Sequence, residues 1–179
     1  MTYKSETQSK NLCWLLPRPK KDKYKGGMPL YCEEWLIELA KDILKQDNIK
    51  LLNLFCGMNK YGFRIDIKSE VKPDLIADAH NFSNYIDPKE KFDVIIADPP
   101  YSYEEAKELY QTPKLYYKKW TNECDKVLRI GGLLIIYHKY LMPNPNPNIF
   151  NVIKRVCILS RPYHLSRIAI YFIKSVRTN

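Results

Sequence analysis

The part of the sequence best suited to chemistry is the tetrapeptide Asp98-Pro99-Pro100-Tyr101, which follows the apolar run 92–97. That run predicts a buried strand, and open α/β sheets bind their ligands beyond the carboxyl ends of their strands. A carboxylate that accepts hydrogen bonds, two prolines that restrict the backbone and a flat aromatic ring suit chemistry at the exocyclic amino group of a base. An ordinary proline turn is the simpler alternative, but the strand context and the acids upstream favour a site.

We call the tetrapeptide 98–101 the corner. Three positions precede it, each where an apolar run ends. Gly57 follows the first predicted strand, and a glycine lets a ligand approach the backbone closely. Asp66 ends the second, where nucleoside-binding sheets place an acid that hydrogen-bonds the ribose hydroxyls. Asp78 follows the third and is placed to accept a hydrogen from an adenine amino group, with Ile67 or Phe82 packing on the ring. Each residue alone is more often a turn residue, but their order along the chain favours a nucleoside site.

Strands and helices alternate along the chain. A helix is predicted from about residue 33 to 44, with apolar residues at helical spacing and Glu33 on its polar side. A long helical segment after the fourth strand is predicted to break near Pro113 and to end at Gly131-Gly132. The apolar runs predicted as strands are 50–55, 63–67, 74–77, 92–97, 132–138, 155–160 and 165–173.

This alternation, closed by two strands joined through the short connection 161–164, predicts an α/β fold with a mostly parallel sheet and an antiparallel C-terminal hairpin. Only about seven residues separate the first strand from the second, whereas a parallel crossover normally takes a dozen or more and contains a helix. We therefore expect the helix after Gly57 to be missing or reduced to a turn. We expect one domain, 25–179, preceded by a basic arm, 1–24.

Over about residues 25–174 the sequence resembles the class I S-adenosylmethionine-dependent methyltransferases that act on amino groups. Their signature, Asp/Asn/Ser-Pro-Pro-Tyr/Phe/Trp, is met by 98–101, and their cofactor loop, Phe-x-Gly-x-Gly, is half met by 55–59, which lacks the second glycine. The segment 25–30 resembles their N-terminal motif, which contacts the methionine end of the cofactor. The resemblance implies a Rossmann-like sheet, S-adenosylmethionine as cofactor and no metal. With the strand-end acids, the predicted cofactor-binding residues are Lys25, Gly26, Asn53, Phe55, Cys56, Gly57, Asp66, Ile67, Asp78, Ala79 and Asp98.

The resemblance also implies a mechanism centred on the corner. The lone pair of a base amino nitrogen is delocalised into the ring, which makes the nitrogen a poor nucleophile. The Asp98 carboxylate and the Pro99 carbonyl would each accept one amino hydrogen, so that the nitrogen becomes more tetrahedral and attacks the sulfonium methyl. Tyr101 would stack on a base that is flipped out of its duplex or single-stranded. The predicted catalytic residues are Asp98, Pro99, Pro100 and Tyr101.

The net charge of +9 favours a polyanionic partner, nucleic acid before membrane. The alternative is a lysine-rich surface that only keeps the protein in solution. Basic and aromatic side chains at the end of the fifth strand and in the C-terminal hairpin are candidates to hold phosphate and stack on bases. The predicted substrate-binding residues are Tyr101, His138, Lys139, Arg161, Tyr163 and His164. For His138 and His164 a satisfied structural role is the favoured alternative.

The leading hypothesis is a DNA adenine N6-methyltransferase, because aspartate in the first motif position favours a nucleobase over protein glutamine. The alternatives are an RNA base amino-methyltransferase acting on tRNA or rRNA, a DNA cytosine N4 enzyme, and a nucleic-acid-binding subunit with a degenerate methyltransferase fold. Nothing after residue 174 could form a target-recognition domain, so we expect the target sequence to be read by the basic arm, the insert 103–113, a second copy of the chain in a homodimer or a specificity subunit. With no apolar run of roughly 20 residues and no signal peptide, we expect a cytoplasmic protein without a membrane partner.

Overall fold

Residues 26–108, 114–159 and 166–176 are described by the computed structural model. The helices are α1 (Leu30–Leu44), α2 (Tyr103–Glu108) and α3 (Tyr117–Val127), with short 3-10 helices at Ser69–Val71 and Phe82–Tyr85. The strands are β1 (Leu51–Leu54), β2 (Phe63–Asp66), β3 (Leu75–Ile76), β4 (Phe92–Ala97), β5 (Leu128–His138), β6 (Phe150–Ile158) and β7 (Arg167–Lys174).

The seven strands form one sheet in the order β3-β2-β1-β4-β5-β7-β6. Strands β1 to β5 are parallel, whereas β7 runs antiparallel to both β5 and β6. The prediction of an α/β fold with a mostly parallel sheet and an antiparallel C-terminal hairpin is therefore confirmed. Because β1 lies between β2 and β4, the strand order reverses there, and the carboxyl ends of β1 and β4 flank the crevice in which such sheets bind ligands.

Each face of the sheet is covered by its own core. Alternate residues of a strand point to opposite faces, so Val94 and Ile96 of β4 join one core, and Ile95 and Ala97 join the other. Helix α1 covers the first core, and α3, through Trp120, covers the second. Burial on both faces explains why β4 is apolar almost throughout, and it makes the end of β4 a rigid support for the polar corner that follows.

The connection between β1 and β2 contains no helix, as predicted. At Gly62 a Cβ would lie 2.6 Å from the carbonyl oxygen of Leu51, so a glycine is needed where the chain passes β1 this closely. Glu33 of α1 accepts hydrogen bonds from the backbone N–H groups of Lys60 (3.2 Å) and Tyr61 (3.3 Å). Helix α1 therefore packs on one face of the sheet and also binds the backbone of the short connection between β1 and β2.

The predicted helix stop at Gly131-Gly132 is wrong. Helix α3 ends at Val127 and β5 begins directly after it. Both glycines lie in β5 where its register with β4 shifts. Gly131 has a φ of +76°, and a Cβ at Gly132 would lie 2.8 Å from the carbonyl oxygen of Asp93. A glycine pair is typical of a helix end, but here it permits an irregularity in a strand.

Strand β6 begins at Phe150, earlier than predicted. Its register with β7 shifts between Val152 and Lys154, and the intervening Ile153 is 42% exposed. A bulge of this kind interrupts the alternation of buried and exposed residues on which the sequence-based prediction depends. The third strand is also shorter than predicted and contains only Leu75 and Ile76.

Several predicted features lie outside the described residues, namely the basic arm 1–24, the helix break at Pro113 and the hairpin connection 161–164. Within the described ranges, no helix has both the length and the apolar character needed to cross a membrane. The same ranges contain no group of three or more His, Cys, Asp or Glu side chains that could hold a metal ion.

Candidate functional site

A cleft of about 710 Å³, including its open mouth, lies beyond the carboxyl ends of β1 to β4. It also contains Lys68, His80 and Leu115, which the sequence did not indicate. The sequence-predicted residues that line the cleft are Gly26, Phe55, Gly57, Asp66, Ile67, Asp78, Ala79, Asp98 and Pro100. All but Gly26 of these predicted residues lie at or just after the carboxyl ends of β1 to β4. They come together because these parallel strands all end at the same edge of the sheet.

Two glycine segments pack against each other in one wall of the cleft. Gly57 has a φ of +49°, and a Cβ there would lie 2.4 Å from the carbonyl carbon of Gly26 and 2.5 Å from the nitrogen of Gly27. The carbonyl of Gly26 also accepts a hydrogen bond from the N–H of Met58 at 3.2 Å. In place of a second glycine in the loop after β1, the segment before α1 therefore contributes Gly26 and Gly27 to the wall.

A buried polar network holds this glycine wall in place. Asn59 accepts a hydrogen bond from the N–H of Met28 at 3.0 Å and donates to the Asn53 side chain at 3.2 Å. The Asn53 amide in turn donates to Glu33 at 2.7 Å. Burial raises the pKa of Glu33, and the N–H groups of Lys60 and Tyr61 act against this rise. Asn53, predicted to bind cofactor, thus has its side chain behind the wall rather than in the cleft.

Asp66 lies at the tip of β2 and joins two parts of the cleft. One carboxylate oxygen accepts a hydrogen bond from the N–H of Gly57 at 2.9 Å, and the other accepts from the N–H of Lys68 at 3.0 Å. A carboxylate has about four acceptor positions, so these two bonds leave capacity for the hydroxyls of a ligand. The half-buried carboxylate is therefore both oriented by the protein and able to bind a ligand.

Asp78 is coupled to a histidine that the sequence did not indicate. Its carboxylate accepts hydrogen bonds from the N–H and from Nδ1 of His80, both at 2.9 Å. The Nε2 atom of His80 accepts a hydrogen bond from the N–H of Tyr116 at 2.8 Å. This pattern fixes the neutral tautomer with the proton on Nδ1, so His80 orients Asp78 and ties the cleft to the segment before α3.

Asp98 is half-buried directly after β4, where its N–H donates to the carbonyl of Leu54 at 3.4 Å. Burial raises the pKa of Asp98 to about 7. The Tyr101 side chain and the positive charge of Arg167 act against this rise, whereas the negative charge of Glu105 adds to it. The carboxyl group therefore titrates near neutral pH and is a strong hydrogen-bond acceptor in its charged form.

Tyr101 is surrounded by basic side chains. The guanidinium carbon of Arg167 lies 4.7 Å from the ring centre, and the Lys139 amino group lies 5.5 Å from it. Nε of Arg167 donates to the Tyr101 hydroxyl at 2.9 Å, and the backbone N–H of Tyr101 donates to Glu105 at 2.8 Å. Tyr101, Lys139 and Arg167 thus form an aromatic and basic group beside Asp98.

His138 ties the corner to the end of β5. Burial lowers its pKa to about 4, so the ring is neutral at neutral pH. Nδ1 accepts a hydrogen bond from the N–H of Tyr140 at 3.0 Å, and the ring also hydrogen-bonds the backbone of Pro100. The ring packs edge-to-face against Tyr101, with centres 5.0 Å apart. These contacts favour a structural role for His138 over direct contact with substrate.

Two further predicted residues in the described part of the chain, Cys56 and Pro99, do not line the cleft. The Cys56 thiol is buried and donates to the carbonyl of Gly57 at 3.6 Å, and burial raises its pKa to about 12. Pro99 is buried between Asp98 and Pro100. The predicted residues that lie outside the described part of the chain are Lys25, Arg161, Tyr163 and His164.

No protein-family model matches the sequence, and no curated protein matches it. Among solved structures, the chain is similar to TrmN from Thermus thermophilus, with 16% identity and a TM-score of 0.59 over 86% of this chain and 51% of that one. It is also similar to the N-methyltransferase NodS from Bradyrhizobium japonicum WM9, with 11% identity and a TM-score of 0.56 over 82% of this chain and 96% of that one.

A second NodS structure, a complex with S-adenosyl-L-homocysteine, has 12% identity and a TM-score of 0.54 over 79% of this chain and 86% of that one. The chain thus spans about half the length of the TrmN chain and nearly the whole of NodS. At these identities the comparisons concern the fold, and the chain has the Rossmann-like α/β fold of these methyltransferases.

Proposed function

We propose that the chain is an S-adenosylmethionine-dependent methyltransferase that acts on an exocyclic amino group of a nucleic-acid base. The observation that carries this proposal is that Asp98, in the corner 98–101, lines the same cleft as Asp66 and Asp78. A cofactor held by Asp66 and Asp78 would then lie beside the Asp98 carboxylate, which would accept a hydrogen bond from the substrate amino group. NodS, similar in fold, forms a complex with S-adenosyl-L-homocysteine, which supports the choice of cofactor.

The lining of the cleft fits this cofactor. Asp66 would bind the ribose hydroxyls, and Asp78 would accept a hydrogen from the adenine amino group. Ile67 and Leu115 give an apolar contact for the adenine ring, while Gly57 lets the backbone approach closely. S-adenosylmethionine has no phosphate, so the missing helix after β1 removes no phosphate-binding site. When bound, it supplies an electrophilic methyl group on a sulfonium.

The corner would prepare the substrate nitrogen. The charged carboxylate of Asp98 would accept one amino hydrogen and the carbonyl of Pro99 the other, which directs the nitrogen lone pair out of the ring plane and toward the cofactor. The nitrogen would take the methyl group as the methyl–sulfur bond breaks, leaving the neutral thioether S-adenosyl-L-homocysteine, and would then lose one proton to the Asp98 carboxylate. The prolines and the contacts of His138 hold these acceptors still, so little reorganisation is needed in the transition state. Tyr101 stacks on the target base, and the neighbouring Lys139 is placed to contact its phosphate.

Replacing Asp66 with alanine is expected to weaken S-adenosylmethionine binding at least about tenfold, because two hydroxyl hydrogen bonds to a charged acceptor are lost. Isothermal titration calorimetry measures this directly. Asp87→Ala is a matched control, since Asp87 forms the same type of local hydrogen bond, to the N–H of Lys89 at 2.8 Å, but does not line the cleft. An unchanged affinity in Asp66→Ala would remove the ribose assignment.

The favoured substrate is adenine N6 in DNA; RNA base amino groups, DNA cytosine N4 and a non-catalytic binding role are the alternatives. The net charge of +9 supports a nucleic-acid partner. Exposed aromatic rings with lysines over them support it too: Tyr140 has Lys139 5.2 Å from its ring centre, and Tyr116 has Lys119 at 5.0 Å. Transfer of a labelled methyl group to DNA, tRNA and rRNA in parallel distinguishes the substrates, and cofactor binding without transfer to any of them would indicate the non-catalytic role.

Affinity for nucleic acid is expected to fall steeply with salt, by about a hundredfold or more between 50 and 200 mM if several phosphates are contacted. Fluorescence anisotropy with a labelled oligonucleotide measures this slope. A flat salt response would mean that the positive charge serves only to keep the protein in solution.

A further inference from the structure

One basic side chain reaches the corner from β7, the strand that lies next to β5 in the sheet. Arg167 is the first residue of β7, and its pairing partner in β6 is Ile158. Its half-buried side chain crosses to Tyr101, where Nε lies 2.9 Å from the hydroxyl oxygen and the guanidinium carbon lies 4.7 Å from the ring centre. The guanidinium thus contacts Tyr101 through both a hydrogen bond and the ring.

The hydrogen-bond directions in this contact matter for Asp98. A guanidinium has only donors, so the Tyr101 oxygen must accept from Arg167. The single hydroxyl hydrogen of Tyr101 is then left for another acceptor, and the Tyr101 side chain acts on Asp98 so as to favour its charged form. Arg167 therefore sets the orientation of the Tyr101 hydroxyl, and Tyr101 in turn stabilises the Asp98 carboxylate.

We propose that Arg167 is a positioning residue for the amino-methyl transfer: it orients the Tyr101 hydroxyl and keeps the Asp98 carboxyl charged. This inference rests on the proposed function. The transfer needs a carboxylate that accepts an amino hydrogen, and a protonated Asp98 would present a donor instead. A cation linked to Asp98 through one tyrosine favours the accepting form.

Among the described side chains near Asp98, the positive ones are Arg167 and Lys139, whose amino group lies 5.5 Å from the Tyr101 ring centre. Glu105 of α2 is negative and favours protonation of Asp98. Cys32 of α1 and Tyr137 of β5 also interact with Asp98. Burial raises the pKa of the Cys32 thiol to about 12 and places that of Tyr137 well above its usual value, so both are uncharged at neutral pH. Of the described cations, Arg167 is the one that also hydrogen-bonds Tyr101, and its charge opposes the rise that burial causes in the Asp98 pKa.

The test compares Arg167→Met, Arg167→Lys and the wild-type protein across pH 5.5 to 9. With the pKa of Asp98 at about 7 in the wild type, the transfer rate is expected to rise with pH through neutrality. Removing the cation is expected to raise this pKa, so Arg167→Met loses about tenfold in rate at pH 6 and less than about threefold at pH 9. The transfer rate of Arg167→Lys, which keeps the charge, is expected to lie between those of Arg167→Met and the wild type. Arg155→Met, at an exposed position of β6, is the control and should match the wild type.

A second measurement separates this inference from the proposed function. Carbon-13 NMR titration of the Asp98 carboxyl, assigned by its loss in Asp98→Asn, needs no substrate and no turnover. A higher Asp98 pKa in Arg167→Met supports the inference, even if no methyl transfer is detected and the proposed function fails. An unchanged Asp98 pKa in folded Arg167→Met, or a rate loss in Arg167→Met that is equal at pH 6 and pH 9, overturns it.

Discussion

Replacing Asp98 with alanine or asparagine is expected to lower methyl transfer by at least about a thousandfold, a loss of about 4 kcal/mol in transition-state stabilisation. Alanine removes the acceptor for the amino hydrogen, and asparagine replaces a charged acceptor with a weaker neutral one. Affinity for S-adenosylmethionine is expected to change by less than about threefold, because Asp66 and Asp78 hold the nucleoside part. Initial rates with labelled cofactor and calorimetry on the same preparations measure the two effects.

Asp87→Asn serves as the control, because Asp87 is exposed and does not line the cleft. Its rate and cofactor affinity should match those of the wild type. Wild-type activity in Asp98→Ala would refute the mechanism. A parallel loss of cofactor affinity and rate in Asp98→Ala would instead place this carboxylate in the cofactor site and remove its role in handling the substrate amino group.

Replacing Gly57 with alanine is expected to weaken cofactor binding by about a hundredfold or more, the largest effect on binding that we expect from one added methyl group. The new Cβ would lie 2.4 Å from a backbone carbon of Gly26 and 2.5 Å from a backbone nitrogen of Gly27. These backbone atoms move only if the whole segment before α1 moves. The cleft wall would open, and the hydrogen bond from the Gly57 N–H to Asp66 would be strained. Calorimetry with S-adenosylmethionine measures the loss.

Gly131→Ala is a close control for Gly57→Ala. Gly131 also has a positive φ, +76°, but the nearest atom to its Cβ is the flexible end of the Arg129 side chain at 3.2 Å. Both substitutions therefore carry a backbone cost of about 1 kcal/mol, whereas only Gly57→Ala disturbs the cleft. Gly131→Ala should lose some thermal stability and bind cofactor normally. Equal cofactor affinity in the two variants would mean that the packing of Gly57 against Gly26 does not shape the site.

The positions of Asp66, Asp78 and Asp98 at one cleft could be predicted from the sequence for a simple reason. Each follows a short apolar run, and the runs are local patterns that need no knowledge of the partner strands. Once the strands are taken as parallel, their carboxyl ends must meet at one edge of the sheet. The three acids, although separated in the sequence, are then expected to lie close together at that edge.

The supporting contacts could not be predicted in this way, because they join residues far apart in the chain. Glu33 fits the polar side of α1 by helical spacing, yet it is buried and bonds Asn53, 20 residues away. Arg167 and Tyr101 are 66 residues apart, and no periodic pattern in the sequence predicts their contact. The glycine pair at 131 and 132 predicts a helix end when it is taken alone. Its actual role depends on how β5 pairs with β4, and the local sequence does not contain that pairing.

The position of the transferred methyl group tests the central claim most directly. The protein is incubated with methyl-labelled S-adenosylmethionine and with duplex DNA, single-stranded DNA or RNA, and the nucleic acid is then digested to nucleosides and separated. We predict label on an exocyclic amino nitrogen, with N6-methyladenine from DNA as the favoured product. Label on a ring carbon, a ring nitrogen or a ribose oxygen, or no label in any of the three substrates, would contradict amino methylation at the Asp98 corner.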